Sequence, residues 1–185
     1  MRDRKVPVVG IPLSLGLLIL VTVIYLTIDF ARLRIHRVKD VFIVLFGSLL
    51  RRHEFAGLTG GSYLLLASLV VAALYAPRVL IPAVSFLALG DTIAAVVGLS
   101  IGRIRFWGKT LEGTLAGLLV CIGVAYIASI LPDPDMHMPL GAGILGALTA
   151  AVVEVLPIEV NDNVAVPIVS GLVMHFALLG KLFGA

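Results

Sequence analysis

Gly90-Asp91 opens the stretch GDTIAAVVGLSIGRIRFWGKTLEG, which closes on Lys109-Thr110-Leu111-Glu112-Gly113 at the head of the next apolar run. A carboxylate among apolar side chains must be paired, protonated or bound to a cation. Two further polar interruptions follow: Glu154 inside TAAVVEVLP, and Asn161-Asp162-Asn163 just before the last apolar run. If Asp91 is ionised beside Glu112, Glu154 or Asp162, the charges repel unless a divalent cation lies between them. Oxygen-only sites suit Mg²⁺, which is commonly shared between protein carboxylates and substrate phosphates. Lys109 carries the charge to bind such phosphates, and Thr110 can cap the helix that Glu112 and Gly113 begin. Each residue also has a plainer reading. Asp91 can pair with Lys109 or an arginine for structure alone, Lys109 can anchor a helix end at lipid headgroups, and Asx residues commonly cap helices.

The Gly-Lys-Thr triplet invites comparison with the phosphate-binding loop GxxxxGK[ST]. Here Gly102 and Gly108 are separated by five residues, Arg103 to Trp107, and no strand is expected ahead of them. That motif is rejected. The histidines at 36, 53, 137 and 175 show no metal-ligand spacing, and Cys121, the single cysteine, excludes an internal disulfide.

The elements that must position these residues are apolar helices. Sixty per cent of the residues are hydrophobic and 14% charged, more apolar surface than a soluble 185-residue domain can hide. The chain therefore reads as an all-α, polytopic integral membrane protein forming a single catalytic domain over 1–185. A span needs about 20 residues, and six candidates lie at 8–31, 60–76, 78–101, 111–131, 139–156 and 164–183. The run 41–50 is too short to cross and is expected as a re-entrant or interfacial helix. Basic segments at 32–39, 51–54 and 103–109 contrast with the acidic loop Pro132-Asp133-Pro134-Asp135, which places the basic loops in the cytoplasm. Arg2, Arg4 and Lys5 oppose that orientation. With it, Asp29 and Arg32, Glu54, Lys109 and Glu112, Glu154, and Asp162-Asn163 gather at the cytoplasmic side of a polar cavity with Asp91 near its floor. Gly98-x3-Gly102, Gly113-x3-Gly117 and the small residues from Gly141 to Ala150 allow close helix approach.

GDTIAAVVG…GRIRFWGKTLEGTLAG resembles the family of CTP-dependent lipid-alcohol kinases, which includes dolichol, phytol and CTP-dependent diacylglycerol kinases. It is more distantly similar to phosphatidate cytidylyltransferase. EVLPIEVNDNVAVPIVSG is similar to a late stretch of the same family, and Asp29-x2-Arg32 followed by Glu54…Leu58-Thr59-Gly60 is similar to its early polar positions. Together these cover about 26–172. Trp107-Gly108 stands where the cytidylyltransferases carry a proline, which favours the kinases. The resemblance implies a CTP–Mg²⁺ site built from Asp91, Lys109, Thr110, Glu112, Gly113, Asp162 and Asn163, with Asp91, Glu112 and Asp162 as metal ligands and Arg32 at phosphate. Asp91, Lys109 and Asp162 would be catalytic, and Asp29, Glu54 and Glu154 would line the cavity. The implied reaction is phosphorylation of a long-chain isoprenoid alcohol drawn from the bilayer, with no nucleic-acid partner and a homodimer left open. A CDP-lipid-forming cytidylyltransferase, a diacylglycerol kinase and a small cation or proton transporter are the alternatives.

Overall fold

The computed structural model describes residues 10–47, 50, 52–157 and 160–180. Arg2, Arg4, Lys5 and Arg51 lie outside the described residues, as do 8–9 of the first expected span, 48–49 of the short helix and 181–183 of the last span. The described chain is all-α apart from one short hairpin, and it divides into two compact units, Met1–Leu69 and Val70–Ala185.

In the first unit, α1 (Gly10–Arg34) runs three residues beyond the expected span before Ile35 breaks it with an extended backbone. The short helix α2 (His36–Phe46) therefore starts five residues earlier than expected, because nothing between Ile35 and Gly47 interrupts it. A 3₁₀ turn over Arg52–Phe55 leads to α3 (Gly60–Leu74), within which the boundary between the units falls.

A single apolar helix crosses the second unit from Pro77 to Ile101 in three pieces. They are α4 (Pro77–Ser85), a wider π-helical turn over Phe86–Asp91, and α5 (Thr92–Ile101). Pro77 begins α4 where its missing N–H costs nothing. The segment expected as a basic loop folds as a hairpin, β1 (Arg105–Phe106) against β2 (Lys109–Thr110). Then come α6 (Leu111–Ile130), α7 (Leu140–Val155) and α8 (Asp162–Leu178).

Among the described residues, three helical segments are long and apolar enough to cross a membrane: Leu13–Arg34, Pro77–Ile101 and Leu111–Ile130. The other three expected spans form shorter apolar helices of 15, 16 and 17 residues. Between α5, α6 and α7 of the second unit the helices meet through small residues, while Phe86, Met138 and Met174 fill the rest of its core. A Cβ on Gly117 would come within 2.9 Å of the Gly90 carbonyl oxygen and 3.0 Å of Ala94 Cβ, and one on Gly113 would overlap the Ala94 carbonyl. α5 and α6 thus meet backbone to backbone along the small-residue face read in the sequence. Gly143 abuts Ala125 in the same manner between α7 and α6. Large apolar side chains point the other way: Leu99 is 89% exposed and Leu119 70%.

Candidate functional site

Lys109 gathers three carboxylates from three different elements of the second unit. Its Nζ lies 3.1 Å from Glu154 Oε1, 3.4 Å from Asp162 Oδ2 and 3.5 Å from Asp91 Oδ1. Asp91 comes from the end of the π-helical turn, Glu154 from the last turn of α7 and Asp162 from the first residue of α8. Local structure aims each of them. The hairpin turns at Trp107-Gly108, both with positive φ (45° and 82°), the signature of a two-residue primed turn. Its register pairs Phe106 with Lys109. Thr110 then caps α6 by accepting from the Gly113 amide at 3.3 Å, while its side chain occupies the space opposite Gly98 and Gly102. Asn161 caps α8 by accepting from the Asn163 amide at 2.9 Å. The Asx turn is thus both a cap and a source of site residues, since Asn161 takes the capping role and Asp162 reaches Lys109. The π-helical turn packs on α6, where the Cys121 thiol donates to the Phe86 carbonyl at 3.6 Å.

Three carboxylates against one ammonium leave two formal negative charges in excess. Burial works against the charged form of Lys109, but the charges of Glu154 and Asp91, the hydrogen bond to Glu154 and the charge of Asp162 outweigh it. The net result is a lysine pushed above its ordinary value and held as a cation. Glu154 is 9% exposed and Asp162 36%, so the cluster runs from a buried wall to an open rim.

The excess negative charge and the all-oxygen donor set fit a hard divalent cation in kind. Among the described residues, no three acidic, histidine or cysteine side chains stand close enough together to ligate one ion as they are placed. The ammonium is instead the point on which the three carboxylates converge.

Asp91, Lys109 and Asp162, expected together, are brought together, and Glu154, expected only as a cavity residue, is the nearest partner of Lys109. Glu112 is not among the carboxylates on that ammonium: both its oxygens accept from the Ile104 amide, at 3.3 Å each, which ties the hairpin's entry to the head of α6. Gly113 serves close packing against α5. Asn163 is half-buried in the first turn of α8.

Arg32, Asp29 and Glu54 form a separate cluster inside the first unit. Arg32 Nε is paired with Asp29, its other nitrogens donate to the Glu54 carbonyl (3.0 Å) and the Gly57 carbonyl (2.7 Å), and its guanidinium stacks on Phe42. Asp29 also accepts from the Thr59 amide and from the Thr59 and Ser62 hydroxyls, and Glu54 accepts from the Gly60 amide. Asp29 and Arg32 are 1% and 2% exposed, and the whole arrangement fastens the turn before α3 onto α1. Arg32 is a buried structural clamp whose guanidinium is occupied by Asp29 and the Glu54 and Gly57 carbonyls. Thr59 and Ser62 could not be read as partners of Asp29 because they lie 30 and 33 positions away.

No protein-family model, no curated protein and no solved structure matches this chain.

Proposed function

We propose that the chain is an integral membrane phosphotransferase that moves the γ-phosphoryl group of CTP to the hydroxyl of a long-chain isoprenoid alcohol. The observation that carries the reading is the convergence of Asp91, Glu154 and Asp162 on Lys109 at the end of an apolar helix bundle. Lysine and carboxylates gathered at one point are the groups that phosphoryl transfer requires, because its catalysis is mostly positioning and charge stabilisation. The resemblance of the motifs around Asp91, Lys109 and Asp162 to the CTP-dependent lipid-alcohol kinases supplies the nucleotide and the acceptor class.

In this reading Lys109 binds phosphate oxygens of the donor, and Asp91, Glu154 and Asp162 are the carboxylates with the charge to hold Mg²⁺. The ion, when bound, supplies charge neutralisation of the triphosphate. The hydroxyl of the alcohol attacks the γ-phosphorus, an O–P bond forms, the bridging O–P bond to the β-phosphate breaks, and CDP leaves. A carboxylate of the cluster, Asp91 or Asp162, takes the hydroxyl proton. Thr110 and Asn161 hold the two helix ends from which Lys109 and Asp162 project. The apolar tail of the acceptor stays among the exposed apolar faces of the helices.

We further place α3, α7 and α8 across the bilayer, giving six crossings, with the Lys109 hairpin and its Arg103 and Arg105 on the cytoplasmic side.

Label transfer tests this reading. Purified protein with Mg²⁺ is offered polyprenol, phytol, geranylgeraniol, diacylglycerol and phosphatidic acid, with CTP labelled at the γ- or the α-phosphate. Label in an isoprenoid alcohol from γ-labelled CTP alone is the expected result. Label in diacylglycerol alone overturns the acceptor, and label from α-labelled CTP makes the protein a cytidylyltransferase. No label from either, with folded protein, removes the enzyme reading and leaves a transporter.

A further inference from the structure

The first unit contains a cavity of about 470 Å³ between α1 and α2 that the Lys109 site does not use. Ile28 of α1 and Val41, Phe42, Leu45 and Phe46 of α2 line it, and Arg37 stands among them. The volume falls within the ~300–1,000 Å³ typical of small-molecule sites. We propose that this groove holds an acyl chain of an anionic phospholipid, with the lipid phosphate on Arg37.

Three observations point to that occupant. The groove lies at the end of a membrane-length helix: Leu13–Arg34 is the candidate span, and Ile28 sits within its last two turns. α2 is 11 residues long, about 16 Å, too short to cross a hydrocarbon layer of about 30 Å. Yet it leaves Val41, Val44 and Leu45 at least 60% exposed, which suits a helix lying in the interface plane. Second, the charged residue lining the groove is a cation, Arg37, and the chain beside it is basic. Arg34, Arg37 and Lys39 cluster within six residues, with Asp40 as the one acid of α2. A phosphodiester is the complementary group at that depth, and each Lys or Arg near a membrane surface contributes about 1 kcal/mol toward anionic lipid. Third, the groove has a fixed wall. Phe42 lines it and also carries the Arg32 guanidinium 4.9 Å from its ring centroid, and Arg32 is itself clamped by Asp29, Glu54 and Gly57. A chain entering the groove meets a wall already ordered, so little further ordering opposes binding.

The inference rests on the membrane placement proposed above and is independent of the kinase reading. The test uses the full chain released from mild detergent in native mass spectrometry, with dioleoyl phosphatidylglycerol and dioleoyl phosphatidylcholine added in equal amounts. One phosphatidylglycerol retained about fivefold over phosphatidylcholine is expected. Arg37→Gln, an exposed substitution that leaves the helices intact, should bring the ratio to near one. Val41→Trp, which fills the groove, should reduce retention of both lipids. Equal retention in the wild type, or an unchanged preference in Arg37→Gln, overturns the lipid site. So does loss of the preference to added inorganic phosphate, which would reveal a site for free anions. Flotation with phosphatidylcholine vesicles separates the two readings: a chain that floats but shows no preference loses only the lipid site. A chain that does not float loses the membrane placement as well.

Discussion

Lys109 keeps three carboxylates from facing one another uncompensated, so its removal changes both charge and chemistry. Lys109→Ala should lower turnover at least ~100-fold, the scale on which single charge-stabilising groups act, and lower stability by about 1–3 kcal/mol, less than a fully buried pair because the cluster opens to solvent. Adding Glu154→Gln to Lys109→Ala should restore part of that stability and none of the activity. Thermal unfolding and the labelled-CTP assay read the two effects separately, and restored activity in the double variant would remove Lys109 from the mechanism. The pH dependence has a definite sign. The folded-state value of Lys109 is raised above the ordinary 10.5, so its stabilising contribution is complete below that pH and is lost as pH climbs through the higher folded value. Unfolding midpoints of wild type and Lys109→Met should keep a constant separation from pH 7 to about 9.5 and converge only above it; convergence near neutrality would contradict the geometry. Asp91, Lys109 and Asp162 were legible in the sequence, Asp91 as a charge inside an apolar run and Lys109 and Asp162 as charges at the heads of two others. Glu112 was not, since at a helix head its direction depends on where the preceding chain offers an amide, here that of Ile104.

Helix positions followed the apolar runs to within a few residues, because each run is bounded by a proline, a glycine or charge. Two elements escaped that reading and both position the site. The π-helical turn at Phe86–Asp91 has no local signature beyond Gly90, whose missing side chain leaves room for Cys121 Sγ. Such turns are frequent at functional sites. The hairpin did leave a trace: Arg103-Ile104-Arg105-Phe106 alternates polar and apolar before a residue–glycine turn. Trp107 at φ 45° is an uncomfortable residue for that turn, and asparagine adopts the conformation more readily. Trp107→Asn should therefore retain the hairpin and turnover within a few-fold, whereas Gly108→Val, forced to φ 82°, should misdirect Lys109 and lose most activity with the helices intact. Equal activity in both would show that the turn does not aim the lysine. Close packing of α5 on α6 makes a separate prediction. Gly117→Leu drives a side chain into the Gly90 carbonyl and Ala94 and should cost about 1–3 kcal/mol, read as a lowered unfolding midpoint.

The chain is arranged inside out relative to a water-soluble protein. In α1, Thr22, Asp29 and Arg32 are buried, whereas Leu13, Leu17, Leu20 and Val23 are more than half exposed. In the second unit, the buried positions of α6 and α7 are mostly alanines and glycines, and many leucines and isoleucines face out. Both patterns are compatible with the proposed membrane placement, since hydrocarbon would welcome large apolar side chains and leave only close packing and hydrogen bonds to hold helices together. Composition alone made apolar helices of membrane-crossing length legible. It could not decide which runs cross, because α3, α7 and α8 at 15–17 residues are about 22–26 Å long, short of a ~30 Å core unless flanking chain or a thinned bilayer makes up the difference. α6 is the clearest case to test, being 20 residues of continuous apolar helix with the basic hairpin at one end and the acidic Asp133–Asp135 turn at the other. Cys121 is buried at 3% and should give little background with a membrane-impermeant maleimide. Arg103→Cys and Asp135→Cys, each in sealed vesicles of one orientation, should then react from opposite sides. Asp135→Cys should also keep near-wild-type activity, since that loop is not among the elements that supply the Lys109 cluster. Labelling of both from the same side would mean that α6 does not cross, and the membrane architecture would have to be rebuilt from the two remaining long helices.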